Sequence, residues 1–245
     1  MIMAFIQQLR SVCFDIALYG FSIIYLLFCL PLLLINPRRF GIKILKGQMH
    51  LLSFLIRHVV GLTHQVKGME HLQNALKLGP CLVACKHQSA WETIVLGIFF
   101  DSFTIVLKKE LGKLPLFGFY LKKSNMIFID RQSGRQSIKS MLIQSRQAVQ
   151  QNQSILIFPE GTRTQPGGAS TYQPGVGLLY GDLNIPVLPV ALNSGLFWGR
   201  RSWVKKPGKV TIEFLPLIEP GLSRQDFMNR LEHDIESACE KLIHV

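Results

Sequence analysis

The chain has 245 residues, enough for one catalytic-size domain with an appendage. Lysine and arginine outnumber aspartate and glutamate by 27 to 15, and the resulting net charge of +12 favours nucleic acid or an anionic membrane as partner. The apolar content of 48% and the mean hydropathy of +0.26 are high for a soluble nucleic-acid binder and fit membrane contact. Five cysteines form no disulfide framework and no zinc-site spacing, so we expect buried, reduced thiols and no metal site.

Near the N-terminus, residues 16–35 form an uncharged and nearly all apolar run. As a helix, twenty such residues span about 30 Å, the thickness of the hydrocarbon core of a bilayer. A cleavable signal peptide is disfavoured, because the run ends at Asn36-Pro-Arg-Arg39 without a small-residue cleavage site. Pro31 permits a kink, so both a full span and a re-entrant or interfacial hairpin stay open.

The following stretch, residues 42–60, is also apolar but carries Lys43, Lys46, Arg57 and His58. This pattern predicts a basic amphipathic helix at the level of the lipid headgroups. Basic residues after the apolar run outnumber Arg10 before it, which predicts that the bulk of the chain is cytoplasmic. We therefore expect residues 1–60 to form a membrane-anchoring helical segment at the cytoplasmic (inner) membrane, and residues 61–245 to form the main domain, which faces the cytoplasm.

Beyond residue 59, short apolar runs alternate with longer amphipathic stretches, which predicts an α/β fold with a largely buried central sheet flanked by helices. The predicted strands are 81–85, 104–107, 126–129, 155–158, 187–192 and 210–215, and the helix-like segments are 91–100, 134–151 and 174–181. A last helix is predicted after Ser223-Arg-Gln-Asp226, which resembles a capping box. Its packing face repeats at helical spacing through Phe227, Leu231, Ile235, Ala238 and Leu242.

Two of the predicted strands run directly into polar motifs, Lys86-His-Gln-Ser-Ala-Trp-Glu-Thr93 and Phe158-Pro-Glu-Gly-Thr-Arg163. Strand ends are where open α/β sheets collect their ligands. Positions five apart on a regular helix diverge by about 140°, so His87 can pair with Glu92 only if His87 lies in the turn before the helix and Glu92 in its first turn. An ionised acid placed there would fix the tautomer of the imidazole and stabilise its charged form.

The residues themselves favour a general base over a covalent nucleophile. No Gly-x-Ser-x-Gly elbow occurs in the chain, and strand alternation should turn Cys85 into the core with Cys81 and Val83. The remaining interpretation is that His87 takes a proton from a substrate hydroxyl, which then attacks an acyl donor.

The second motif has the residue types of an anion site. The guanidinium fork of Arg163 suits phosphate oxygens, and Gly161 lets a ligand approach the backbone, although a plain surface turn with an Arg163–Glu160 salt bridge is the alternative. Arg131 follows another predicted strand and could converge on the same anion. Asp130 is expected to be structural.

At these residues the chain resembles the glycerolipid acyltransferases typified by 1-acylglycerol-3-phosphate acyltransferase, over roughly residues 60 to 220. Four blocks carry the resemblance. They are His-x4-Asp, matched by His87 to Glu92 with glutamate in place of aspartate, then Phe128-Ile-Asp-Arg131, Phe158-Pro-Glu-Gly-Thr-Arg163, and the proline-containing strand Ile185-Pro-Val-Leu-Pro-Val190. The variant around His87 is similar to a bacterial subgroup. The segment Tyr172-Gln-Pro-Gly175 departs from a family position that often carries lysine.

The resemblance implies transfer of a fatty acyl group to the free hydroxyl of 1-acylglycerol-3-phosphate, giving phosphatidate for phospholipid synthesis. Acyl-CoA or acyl carrier protein would be the co-substrate, and no cofactor is implied. The implied catalytic residues are His87 and Glu92. The implied phosphate-binding residues are Arg163, Arg131, Glu160, Gly161 and Thr162, with Lys108 or Lys109, between which the sequence does not choose. Two alternatives stay open: another lysophospholipid or ornithine-lipid acceptor, and a non-catalytic membrane lipid-binding module on the same fold.

A second basic region lies near the C-terminal strand, where Arg200, Arg201, Lys205, Lys206 and Lys209 surround Trp198 and Trp203. A solvated loop and a membrane-interface patch with tryptophan anchors are both compatible with this composition. No recognisable RNA- or DNA-binding module accompanies the charge, so nucleic acid is not expected as a partner.

Overall fold

The fold is described from a computed structural model, which covers residues 2–130, 133–168 and 171–243. Seven strands form one sheet in the order β1-β7-β6-β2-β5-β3-β4. Neighbouring strands are parallel except for β6 and β7, which are antiparallel. The strands are β1 Leu62–Lys67, β2 Leu82–Cys85, β3 Phe103–Lys108, β4 Ile127–Ile129, β5 Ser154–Ile157, β6 Val187–Leu192 and β7 Gly208–Phe214. The predicted α/β class with a central sheet is confirmed.

Helices cover both faces of this sheet. They are α1 Ile2–Ile35, α2 Pro37–Leu55, α3 Met69–Leu78, α4 Trp91–Val95, α5 Phe117–Lys123, α6 Gly134–Gln150, α7 Pro174–Leu183 and α8 Arg224–Ile243. The helix predicted at 91–100 is shorter than expected, because α4 gives way to a 3-10 turn at Leu96–Phe99. Strand β1 and helices α3 and α5 were not among the predicted elements.

Alternate residues of each central strand enter two separate apolar layers. Val83 and Cys85 of β2 pack in the layer that contains α1, α2, α4 and α5, whereas Leu82 and Ala84 pack in the layer formed with α6, α7 and α8. A parallel sheet covered on both faces needs apolar side chains at every position, and this explains the unbroken apolar runs in the sequence. The predicted packing face of α8 lies in the second layer, and Ser223 Oγ accepts a hydrogen bond from the Asp226 backbone N–H at its start.

The first two helices form a hairpin that packs against one face of the domain. The turn is local: Pro37 opens α2, and the side chain of Asn36 accepts a hydrogen bond from the Arg39 backbone N–H at 3.0 Å. The helices approach closely at Gly47, where a Cβ would lie 2.2 Å from the Tyr25 hydroxyl oxygen. Residues Phe5–Ile35 are long and apolar enough to cross a membrane, by length and composition alone.

Two basic regions differ from the sequence-based interpretation. Lys46 of α2 was expected at the headgroups with Lys43 and Arg57, but its ammonium donates to the Phe100 carbonyl at 2.9 Å and so faces the domain. Lys43 and Arg57 are exposed. The interpretation failed for Lys46 because helical periodicity shows only which residues share one side of a helix. Which side packs against the domain depends on the tertiary structure.

The cluster around Trp198 and Trp203 is also divided. Lys205 is 3% exposed and bonds both oxygens of Asp15 in α1 at 2.5 Å, and its backbone N–H donates to Ser11 Oγ at 2.9 Å. Trp198 is buried against Phe14 of the same helix. These residues dock α1 on the domain, so neither interpretation of the cluster holds for Lys205 or Trp198; Trp203, 82% exposed, is free to meet an interface.

Candidate active site

The loop between β2 and α4 carries His87 in the turn and Glu92 in the first turn of the helix. This is the arrangement that their five-residue spacing requires. His87 Nδ1 lies 2.8 Å from Glu92 Oε1, and the imidazole stacks on the Phe158 ring with centroids 4.2 Å apart. Because a carboxylate can only accept, Nδ1 carries the proton, and the lone pair of a neutral imidazole is then on Nε2.

The carboxylate of Glu92 is itself held at both oxygens. Oε1 also accepts the backbone N–H groups of Gln88 at 2.8 Å and Ser89 at 2.6 Å. Oε2 accepts the hydroxyl of Ser194 at 2.8 Å. Glu92 and Ser194 are both buried, so the orientation of the acid is set by the protein and not by water. Sequence reasoning missed Ser194, although small polar residues directly after the strand at 187–192 were a usable signal.

The second motif packs against the first. The turn that follows β5 places Gly161 at a φ of +66°, a conformation that favours glycine. Thr164 then donates through its backbone N–H to the His87 carbonyl at 2.8 Å. Glu160 Oε1 accepts the backbone N–H of His87 at 3.2 Å and lies 3.3 Å from Lys86 Nζ. The two motifs therefore form one unit around His87.

A cavity of about 710 Å³ opens at this unit. Polar residues line one part of the cavity wall, and mostly apolar residues line the other part. The polar lining residues include His87, Lys108, Glu160, Gly161, Thr162 and Arg163, and the apolar ones include Val106, Leu107, Ile129, Ile138, Met141, Ile157 and Val176. A molecule with one anionic end and one hydrocarbon end fits such a wall.

The cations expected to bind phosphate are placed differently from one another. Arg163 lines the cavity and is half-buried, and no carboxylate of the described residues lies within salt-bridge distance of its guanidinium. Lys108 also lines the cavity, whereas Lys109 is absent from the lining and donates to Asp130 at 2.9 Å. Arg131 lies outside the described residues. Of the two lysines, the geometry favours Lys108 as the one that meets a ligand.

Glu160 is the predicted phosphate-site residue whose surroundings fit that role least. Its carboxylate is 3% exposed and faces Lys86 and the His87 backbone. Burial raises its pKa above the usual range, while Lys86 and the backbone N–H groups oppose the shift. A carboxylate repels phosphate, so its contribution to an anion site would be indirect; the predicted roles of Glu160, Gly161 and Thr162 stay predictions.

The cysteines near His87 are not placed for nucleophilic attack. Cys85 is fully buried, and burial, with the nearby carboxylates of Glu92 and Glu160, raises the pKa of its thiol well above the usual value. Burial also raises the pKa of Cys81, to about 11. A thiol that stays protonated is a poor nucleophile, so neither cysteine is suited to nucleophilic attack.

Comparison with known proteins identifies the class. The protein-family model described as Acyltransferase matches residues 64–193, which include both motifs. A 1-acyl-sn-glycerol-3-phosphate acyltransferase of Pseudomonas aeruginosa is 32% identical over 218 residues, 87% of this chain and 82% of the relative. An enzyme of the same description from Helicobacter pylori is 27% identical over 169 residues, 68% of this chain and 71% of the relative.

The fold has a counterpart among solved structures. The 1-acyl-sn-glycerophosphate (LPA) acyltransferase from Thermotoga maritima superposes with a TM-score of 0.79, covers 98% of both chains and is 19% identical, so this likeness shows the fold alone. The sequence matches show the family. The chain belongs to the acyltransferase family and is similar to its 1-acyl-sn-glycerol-3-phosphate acyltransferases, as the sequence resemblance predicted.

Proposed function

We propose that the protein transfers a fatty acyl group to the free hydroxyl of 1-acylglycerol-3-phosphate and so forms phosphatidate. The observation that carries this proposal is the cavity, which brings His87, Arg163 and an apolar wall to one space of about 710 Å³. The acceptor has the three corresponding parts: a hydroxyl, a phosphate and a hydrocarbon chain. The names of the relatives from Pseudomonas aeruginosa and Helicobacter pylori favour the same acceptor.

In the proposed reaction the acceptor hydroxyl lies against His87 Nε2. The nitrogen takes the hydroxyl proton as the oxygen attacks the carbonyl carbon of an acyl thioester, and Glu92 stabilises the imidazolium that forms. The tetrahedral intermediate then collapses, the C–S bond breaks, and the imidazolium returns the proton to the thiolate that leaves. An ester and a free thiol result, and no cofactor takes part.

Arg163 and Lys108 would bind the acceptor phosphate. A guanidinium fork meets two phosphate oxygens in one plane, whereas an ammonium acts as a point charge. We include Arg131 in this site from the sequence alone. For the donor, acyl-CoA and acyl carrier protein both supply the required thioester, and both belong in the test.

The test is an acyl-transfer assay on the purified protein with a panel of lysolipid acceptors and both donors. Lysophosphatidate should be acylated faster than lysophosphatidylethanolamine, lysophosphatidylglycerol or lyso-ornithine lipid. Arg163→Lys should raise the KM for lysophosphatidate about tenfold and change kcat less, because contacts made alike in ground and transition states affect binding. If another lysolipid is the better acceptor, or if only the donor KM changes, the acceptor assignment is wrong.

We also propose that the protein works at the cytoplasmic face of the inner membrane, with the hairpin of α1 and α2 embedded from one side. Large apolar side chains of α1 face outwards, among them Phe28, 83% exposed, and Ile24, 65% exposed. The same helix is tied to the domain by Asp15 and by the Leu26 carbonyl, which accepts the Tyr120 hydroxyl. A helix held along its length cannot cross a bilayer without carrying the domain with it, which favours an embedded hairpin over a full span.

Membrane extraction tests this placement. Wild-type protein should resist high salt and require detergent, because each buried methylene contributes about 0.8 kcal/mol and salt does not screen this term. Ile24→Lys/Phe28→Lys should become extractable by salt, while Leu222→Lys, an exposed apolar residue of the domain, should behave as wild type. Wild-type protein in the soluble fraction at low salt would contradict the placement.

A further inference from the structure

Behind the His87 loop lies an ion-pair network that is buried at Lys86 and Glu160 and partly exposed at Glu236, and it joins both sequence motifs to α8. Lys86 is 2% exposed. Its ammonium lies 2.6 Å and 2.8 Å from the two carboxylate oxygens of Glu236 in α8, and 3.3 Å from Glu160 Oε1. The hydroxyl of Tyr172 donates to Glu236 Oε1 at 3.0 Å. The network therefore joins the end of β2, the turn after β5, the segment before α7 and the middle of α8.

Such a network is stable only while it is complete. Burial opposes the charge on Lys86, but the carboxylates of Glu160 and Glu236 outweigh burial and raise its pKa, so the ammonium is charged. Removing one member of a buried pair leaves an uncompensated charge and is strongly destabilising, whereas replacing both members by apolar residues is often neutral. Stability alone therefore gives little reason for a lysine and two acidic side chains at this place.

The network reaches the catalytic loop by two routes. Lys86 immediately precedes His87, and its backbone N–H donates to the Val190 carbonyl at 2.9 Å, which fixes the loop to β6. Glu160 Oε1 is shared between Lys86 Nζ and the His87 backbone N–H. The Lys86–Glu236 pair thus sets where the Glu160 carboxylate lies, and that carboxylate holds the backbone of His87.

We propose that Lys86 and Glu236 are positioning residues for acyl transfer, with α8 holding the His87 loop in register through the Glu160 carboxylate. This inference rests on the proposed function, since the reaction it serves is the one assigned to His87. Neither side chain lines the cavity. The two residues act by fixing the position of His87 relative to the acceptor hydroxyl. A displacement of a catalytic group by about 1 Å can lower the rate about 100-fold.

The main test separates positioning from stability. Lys86→Met removes the ammonium that Glu160 and Glu236 share, and thermal unfolding should show a marked loss of stability. Lys86→Met/Glu236→Met also removes the Glu236 carboxylate and should recover part of that loss, although Glu160 still lacks the Lys86 ammonium. If the pair positions His87, kcat of the double variant stays about 10- to 100-fold below wild type while the KM for lysophosphatidate changes little. If kcat returns with stability to within about twofold of wild type, the pair is only structural and the proposal fails.

A milder pair of variants keeps the proposal testable if the double variant does not fold. Glu236→Gln retains shape and one acceptor oxygen but removes the charge that holds Lys86. Glu240→Gln makes the same change one helical turn further on, at an exposed position of α8. We expect kcat to fall about 3- to 10-fold for Glu236→Gln and to be unchanged for Glu240→Gln. Equal kcat in both variants would overturn the proposal.

The proposed function can fail separately. If wild-type protein acylates no lysolipid with either donor, the proposed reaction is wrong. If wild-type protein is active and both Glu236→Gln and the double variant keep full kcat, the proposed function stands. In that case only the positioning roles of Lys86 and Glu236 are wrong.

Discussion

The N-terminal hairpin and the loop around His87 differ in which kind of side chain they expose and which they bury. In α1, large apolar side chains such as Phe28 and Ile35 are more than three-quarters exposed. At the loop, polar and charged side chains such as Lys86, Glu92 and Ser194 are at most 2% exposed. The first arrangement is costly in water and favourable in lipid, and the second is favourable only if every buried polar group is bonded.

This contrast shows that the two regions obtain their stability from different sources. The hairpin depends on its surroundings, since its apolar surface has no protein partner over much of its length. The loop depends on hydrogen bonds between buried protein groups, such as those to both oxygens of Glu92, although Gln88 Nε2 and Glu160 Oε2 have no hydrogen-bond partner among the described residues. Substitutions should therefore separate them: changes at the loop should stop the reaction without releasing the protein from membranes, and changes at the hairpin should do the reverse.

The largest effect on the reaction is expected for His87→Ala. Loss of a general base typically costs about 10²- to 10⁴-fold in rate. Turnover with lysophosphatidate measures the loss, and flotation with vesicles should be unchanged. His233→Ala, at an exposed position of α8, is the control. A His87→Ala variant with more than half of wild-type turnover would remove His87 from the mechanism.

Glu92→Gln should come next, with a loss of about 100-fold in kcat, since it keeps the shape of the acid but removes the charge that stabilises the imidazolium. Glu92→Asp restores the acid typical of the family and keeps the charge, so its loss should be smaller. It is not expected to be neutral, because the shorter chain cannot reach both His87 and Ser194 as Glu92 does. Equal activity of Glu92→Gln and wild type would disprove the dyad.

Ser194→Ala should have a moderate effect, about 5- to 10-fold in kcat, because it removes one charge-assisted hydrogen bond from Glu92 Oε2 and leaves three donors on Oε1. Steady-state kinetics would measure it with Ser140→Ala, an exposed serine of α6, as control. A Ser194→Ala variant as active as wild type would mean that the backbone donors alone orient Glu92.

The smallest effect on the reaction is expected for Asp15→Asn, which tests the junction between the two regions. Lys205, 4% exposed at its side chain, would lose its carboxylate partner, at a cost of about 1–3 kcal/mol. In a chain of this size, each kcal/mol lowers the melting temperature by about 2–4 °C. Asp101→Asn removes the partner of Lys46 at a fully exposed site and should change the melting temperature little. If the two variants melt alike, the Asp15–Lys205 pair does not secure the hairpin.

Much of the fold followed from local pattern. Apolar runs that end in polar motifs located six of the seven strands, since a strand buried on both faces must be apolar throughout. Strand β1, with the sequence Leu-Thr-His-Gln-Val-Lys, lies at the edge of the sheet and has three exposed residues. Such an edge strand carries little hydrophobic signal, and it was missed for that reason.

In the candidate site, too, contacts between residues close in sequence could be predicted, whereas contacts between distant residues could not. The pairing of His87 with Glu92 spans five residues, so helix geometry was enough to predict how the two side chains meet. Ser194 lies 102 residues from Glu92, and Glu236 lies 150 residues from Lys86. The docking of Lys205 on Asp15 spans 190 residues. Motif spacing carries no information about contacts of this range, because only the order of strands in the sheet and the packing of helices on it bring such residues together.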